Sequence, residues 1–194
     1  MIMKKFLKPL AVLACTVALV AGTVAATLAF LTDKTNSITN TFVAGDISIT
    51  LTETAVEEFK MVPGTDIAKD PKVTVEAGSE ACWLFVKLDK SANFGTYLTY
   101  TIADGWTPLA GVNDVYYRQV AAVEKDADEE PSFSVLAGDK VTALDATKEQ
   151  YNSIAANKPT LSVTAYAIQY AGFAPENGKT VTDAWNAILA SSQS

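Results

Sequence analysis

Histidine is absent from all 194 residues. Without an imidazole the chain has no Ser-His-Asp or Cys-His nucleophile system, and no zinc site that uses His. Cysteine occurs only at Cys15 and Cys82, so a disulfide framework is excluded. Cationic charge is scarce: 15 Lys and Arg stand against 22 acids, a net charge of −7, and Arg118 is the single arginine. Such a balance excludes binding to nucleic acid or to an anionic membrane through bulk charge. No phosphate-binding glycine loop and no dinucleotide fingerprint follow any strand-like run. The sequence therefore offers no cofactor site and no metal site of a recognised pattern, and its first reading is non-enzymatic.

Acidity and hydrophobicity are unevenly placed. Met1 to Lys8 carries Lys4, Lys5 and Lys8 without an acid, and no charged residue occurs from Pro9 to Thr32. A basic start followed by an apolar run is the pattern of a secretory signal. The run is also long enough to span a bilayer, so a retained anchor is a rival reading. Val12-Leu13-Ala14-Cys15 loosely resembles a lipidation box, but another apolar stretch follows Cys15 where a polar tether is expected. Small residues end the run at Val24-Ala25-Ala26 and Thr27-Leu28-Ala29. Cleavage is expected between Ala29 and Phe30. Loss of the three leader lysines takes the net charge from −7 to −10 and leaves Cys82 as the only thiol. An exported destination without disulfides fits a Gram-positive cell surface.

Residues 30–40 are polar and rich in Thr and Asn, with little to bury. One domain is expected over 41–194. Ile47, Ile49 and Leu51 alternate with Ser48, Thr50 and Thr52, the period of a strand with one buried face. Val62-Pro63-Gly64 and Asp70-Pro71 punctuate the chain before Val73 and Val75 resume the alternation. Ala81 to Leu88, with Trp83, Leu84, Phe85 and Val86, predicts a central strand buried on both faces. Further β segments are expected over 97–102, 114–123 and 161–168. Phe133, Val135 and Val141 flank Ala137-Gly138-Asp139, which predicts a hairpin. Two short helices are expected: one from a Thr147/Gln150 capping pair with Tyr151, Ile154 and Ala155 on one face, and one with Val181, Ala184, Trp185, Ile188 and Leu189 on its stripe. Many short strands separated by turns predict a mainly β protein, a jelly-roll-type β-sandwich with two peripheral helices.

Three clusters and one cysteine invite chemistry. Asp126-Ala127-Asp128-Glu129-Glu130 has the oxygen ligands calcium uses but not the EF-hand spacing, and reads as a solvated loop. Glu57-Glu58 beside Phe59 reads as a strand end. Trp106 reads as an exposed aromatic, and alternation puts one of Tyr116 and Tyr117 in the core and the other outside, where it stacks with Arg118. Cys82, inside an apolar run, reads as a small buried hydrophobe.

Leu28-Ala29-Phe30-Leu31-Thr32-Asp33-Lys34 and Asn40-Thr41-Phe42-Val43-Ala44-Gly45-Asp46-Ile47 resemble the cleavage region and strand entry of the TasA/camelysin family. Val62-Pro63-Gly64, Lys69-Asp70-Pro71-Lys72-Val73, Asp114-Val115-Tyr116-Tyr117-Arg118, Leu161 to Gln169 and Ala184-Trp185 are similar to its later marks. The resemblance implies a jelly-roll domain, export, and processing by a dedicated signal peptidase, with the membrane met only through the signal peptide. It also implies a biofilm-matrix fibre in which the freed N-terminal segment adds as a strand to the next subunit, so that the partner is the protein itself, head to tail. On that reading Phe30, Thr32, Asn36, Ile38 and Asn40 are the donor-strand candidates. The chain lacks the fibre protein's long charged tail. Two other functions stay open: a monomeric cell-surface β domain, and a secreted metalloendopeptidase of the camelysin kind, for which the absence of histidine leaves only carboxylates.

Overall fold

The computed structural model describes residues 46–54, 62–145, 147 and 158–192. The expected signal segment, the expected Ala29–Phe30 cleavage site, the donor-strand candidates Phe30, Thr32, Asn36, Ile38 and Asn40, the Glu57-Glu58 pair and nearly all of the helix expected from Thr147 lie outside the described residues.

Alternation builds the strands. β1 (Ile49–Thr52) pairs antiparallel with β3 (Lys72–Val75), and β3 pairs with β8 (Ser132–Ser134). β2 (Asp66–Ala68) pairs with β9 (Lys140–Ala143), and β9 with β5 (Leu98–Thr99). These two small sheets behave as one bent layer. β2 runs on into β3 past Lys69-Asp70-Pro71, and β8 runs on into β9 past a kink at Ala137–Asp139. Backbone bonds from Val135 N–H to the Pro71 carbonyl and from Lys69 N–H to the Asp139 carbonyl, both 2.9 Å, close the gap between them.

The second layer is a four-stranded sheet, ordered β10 (Leu161–Gln169), β4 (Cys82–Lys90), β7 (Val115–Val120), β6 (Thr107–Pro108). Merging β2 with β3 and β8 with β9 gives eight strands in two layers. The inner neighbours in both layers are those of a jelly roll. The first strand differs: a full jelly roll sets it beside the last, whereas β1 pairs with β3 and only packs alongside β10.

Strand β4 feeds two cores because its side chains alternate between faces. Cys82, Leu84, Val86 and Leu88 point between the layers, where they meet Ile49, Leu51, Val73, Val75, Val163 and Ala165. Trp83 and Phe85 point the other way and are covered by the C-terminal helix Val181–Ser191 through Ala184, Trp185 and Ile188. Trp185 lies 5.4 Å from Phe85 and 5.3 Å from Tyr166, ring centre to ring centre. The helix starts at a reciprocal capping box, in which Thr180 accepts from Asp183 N–H and Asp183 accepts from Thr180 N–H.

The mainly β sandwich with short helices matches expectation, as do a central β4 and the C-terminal helix. Three local readings change. The Ala137-Gly138-Asp139 segment is not a hairpin turn, because β8 and β9 never pair with each other; each pairs with a different part of the β2–β3 ribbon. Gly138 and Asp139, at φ 66° and 52°, bend the chain opposite Pro71 without reversing it. The 97–102 segment is a strand only at Leu98–Thr99, because a helical turn, Phe94–Tyr97, ends just before it. Leu189 sits on the predicted helix stripe yet is 41% exposed, past the edge of the sheet it covers.

Candidate functional site

The predicted chemical candidates separate rather than converge. Cys82 is fully buried, and burial pushes its thiol up to about 12, far from a reactive thiolate. The carboxylates of Asp126, Asp128, Glu129 and Glu130 are exposed, and Glu130 accepts from the Ala77 N–H at 2.9 Å. Among the described residues no group of three or more Cys, Asp and Glu could hold a metal ion, and no helix is long and apolar enough to cross a membrane.

Trp106 is not a surface aromatic: it is buried, and its indole N–H donates to the Ser134 carbonyl at 2.9 Å, tying one layer to the other. The Arg–Tyr stack is also replaced. Tyr116 packs on the inter-layer core and Tyr117 on Trp83, because both faces of the sheet are covered. Arg118 stacks instead on Phe133 and Trp106.

The most distinctive feature is an edge. β10 runs nine residues against β4, from Leu161 opposite Lys90 to Gln169 opposite Cys82. The bonds that flank this ladder join Ser91 N–H to the Thr160 carbonyl and Tyr170 N–H to the Ala81 carbonyl. In an antiparallel pair every second residue bonds to the partner, so the even-numbered residues of β10 face β4. The backbone groups of Leu161, Val163, Ala165, Ala167 and Gln169 therefore point away from the sheet, and no strand among the described residues pairs with them.

Within its own sequence β10 lacks two of the features that blunt an edge, charge and proline, and among the described residues β1 packs alongside it without pairing. Its sequence, Leu-Ser-Val-Thr-Ala-Tyr-Ala-Ile-Gln, has no charge and no proline. Its core-facing side chains, Val163, Ala165 and Ala167, are buried. By contrast β6 is two residues long and contains Pro108. Acidic side chains are held in place elsewhere: Glu76 accepts from the Ser48 and Thr50 hydroxyls, and these bonds hold its carboxyl below the usual range. Sequence reasoning located the β10 strand but not its open edge; the absence of charge and proline over nine residues was the available signal. No family model, curated protein or solved structure matches this chain.

Proposed function

We propose that the chain is an exported structural subunit of an extracellular fibre, related to the TasA/camelysin family, in which the N-terminal segment Phe30–Asn40 of one copy pairs with the outer edge of β10 in the next. The observation that carries this reading is the long, uncharged, proline-free edge of β10, which among the described residues has no hydrogen-bonded partner on that side, although β1 packs alongside it. Strand addition satisfies the outward N–H and C=O groups of β10, and alternate side chains set the register. Donor segment and acceptor edge are different surfaces of the subunit, so the contact is heterologous and head to tail, and a rotation that does not close gives a filament. Export depends on a signal peptidase cutting after Ala29, and catalysis is no part of the role.

Negative-stain imaging of the secreted, processed protein tests this, with N-terminal sequencing to place the start at or within a few residues of Phe30. Filaments are expected from the processed protein. A version that lacks Phe30–Asn40 is expected to stay folded and monomeric, because the buried hydrophobes from Ile47 onward are all retained. Equal filaments from both versions refute strand donation, and a processed protein that stays monomeric at high concentration supports a monomeric surface domain instead.

A further inference from the structure

Two strands away from β10, an open groove of about 680 Å³ runs between β7 and β8, lined by Arg118, Gln119, Val123, Pro131 and Phe133. Arg118 is held there by aromatic faces: its guanidinium carbon lies 3.7 Å from the Phe133 ring centre and 5.3 Å from that of Trp106. Gly105, at φ 84°, lets the Asp104–Trp106 turn come close, since a Cβ there would sit 2.9 Å from a terminal guanidinium nitrogen. Arg118 makes no ion pair among the described residues, and its Nε is sealed from solvent without an acceptor. This is unexpected in so acidic a chain, because Glu124, Asp126, Asp128 and Glu129 line the same groove. Burial lowers the guanidinium pKa, the direction for a cation short of counter-charge.

We propose that this groove is a carboxylate-binding site whose occupant is an extended peptide segment carrying one carboxylate and a nearby ammonium. The stacked rings use the guanidinium's faces and its Nε is out of a ligand's reach, so a planar carboxylate meets the terminal Nη1 and Nη2 N–H groups, a fork that matches it. The acidic loop repels a dianion such as phosphate and attracts an ammonium on the same ligand. β6 covers β7 only at Tyr116 and Tyr117. Gln119 lies one period beyond Tyr117, so its N–H and C=O face outward with no strand opposite among the described residues, and a peptide backbone can pair there. The site stands apart from the β10 edge and does not depend on strand addition.

A single arginine gives a single Nε–Hε NMR signal, so occupancy can be read without assignment. Unpolymerised secreted protein is titrated at low salt with acetyl-Lys-Ala-Glu-amide, its Glu→Gln and Lys→Gln versions, inorganic phosphate, and sodium chloride as the ionic-strength control. The Lys-Ala-Glu probe is expected to move the Nε signal at millimolar concentration. The Glu→Gln version should bind about tenfold more weakly, as a charge-assisted fork is lost, and phosphate should act no more strongly than chloride. Arg118→Lys keeps the charge and should abolish binding while leaving the thermal transition in place. If that variant does not fold, neutralising the rim with Asp126→Asn, Asp128→Asn and Glu129→Gln should erase the preference for lysine yet keep the preference for glutamate. No response beyond that of chloride, tighter binding of phosphate, or equal binding of the Glu and Gln probes overturns the proposal.

Discussion

The two edges of the four-stranded sheet are built in opposite ways. On one side β6 is two residues long, holds Pro108, and gives way to a turn at Asp104-Gly105. On the other side β10 offers nine residues of regular, uncharged backbone. Both faces of the sheet are covered, one by the opposite layer and one by the C-terminal helix. What separates the two sides is therefore only whether the last strand can be extended. Among the described residues the outward backbone groups of β10 have no strand partner, and on the proposed function this is the side to which the next subunit adds.

The comparison can be broken most severely by uncovering a face. Phe85→Ala removes a fully buried ring from beneath Trp185 and is expected to cost about 3–5 kcal/mol in urea unfolding. The exposed apolar face should then drive amorphous aggregation, whereas loss of less than about 1 kcal/mol would mean that the helix does not seal the sheet.

Within β10 two proline substitutions one residue apart sharpen the contrast. Thr164 faces β4 opposite Lys87, so Thr164→Pro deletes a ladder N–H and should cost about 1–3 kcal/mol from the unpaired group alone. Helix capping has an effect of similar size: Thr180→Ala is expected to lower stability by about 1 kcal/mol without altering assembly. Ala165→Pro places its ring toward the side of β10 that has no strand partner among the described residues, so no ladder bond is lost and it should destabilise less than Thr164→Pro. It should nevertheless stop filament growth, because an incoming strand loses a hydrogen-bond donor there. If Thr164→Pro and Ala165→Pro unfold at the same denaturant concentration, the assignment of the open side is wrong.

The smallest effects come from pH. The Lys140 bond holds the Asp66 carboxyl below its ordinary value of 3.8, the Thr54 hydroxyl does so for Asp70, and the Thr180 cap does so for Asp183. The Ser48 hydroxyl lowers Glu76 from 4.5. A lowered folded-state pKa contributes stability above the unfolded value, and that contribution is lost as pH falls through the folded value. All four carboxylates are solvent-accessible, so each contribution is small. The melting temperature should stay flat from neutral pH to about 5 and fall below about 4; a rise on acidification would contradict these assignments.

Much of this was legible in sequence because it depends on local spacing. The period of two in Leu161 to Ile168 marked β10, and the i, i+3, i+4 spacing of Val181, Ala184 and Trp185 marked the last helix. The doubly apolar Trp83-Leu84-Phe85-Val86 run marked a strand covered on both sides. The misreadings arose where distant partners decide. Ala137-Gly138-Asp139 has turn composition, yet it bends rather than reverses because β3 and β2 hold the two flanking strands in line. Alternation leaves one of Tyr116 and Tyr117 to face outward; it is Tyr117, and it packs beside Trp83 and Phe85 on the face that the C-terminal helix covers rather than against Arg118.

The sequence by itself determined the chemistry that is excluded: a chain without histidine has no imidazole-based catalysis, wherever its residues fall. It also determined the strands, since alternation fixes which side chains share a face. Only the tertiary structure decided which edge stays open, because strand order depends on pairings across dozens of residues. It also decided that Arg118 meets Trp106 and Phe133 rather than its neighbouring tyrosines, since those rings arrive from a turn and a strand of the opposite layer. Edges and grooves are properties of how strands are ordered, and strand order is set by burial summed over the whole core rather than by any local run.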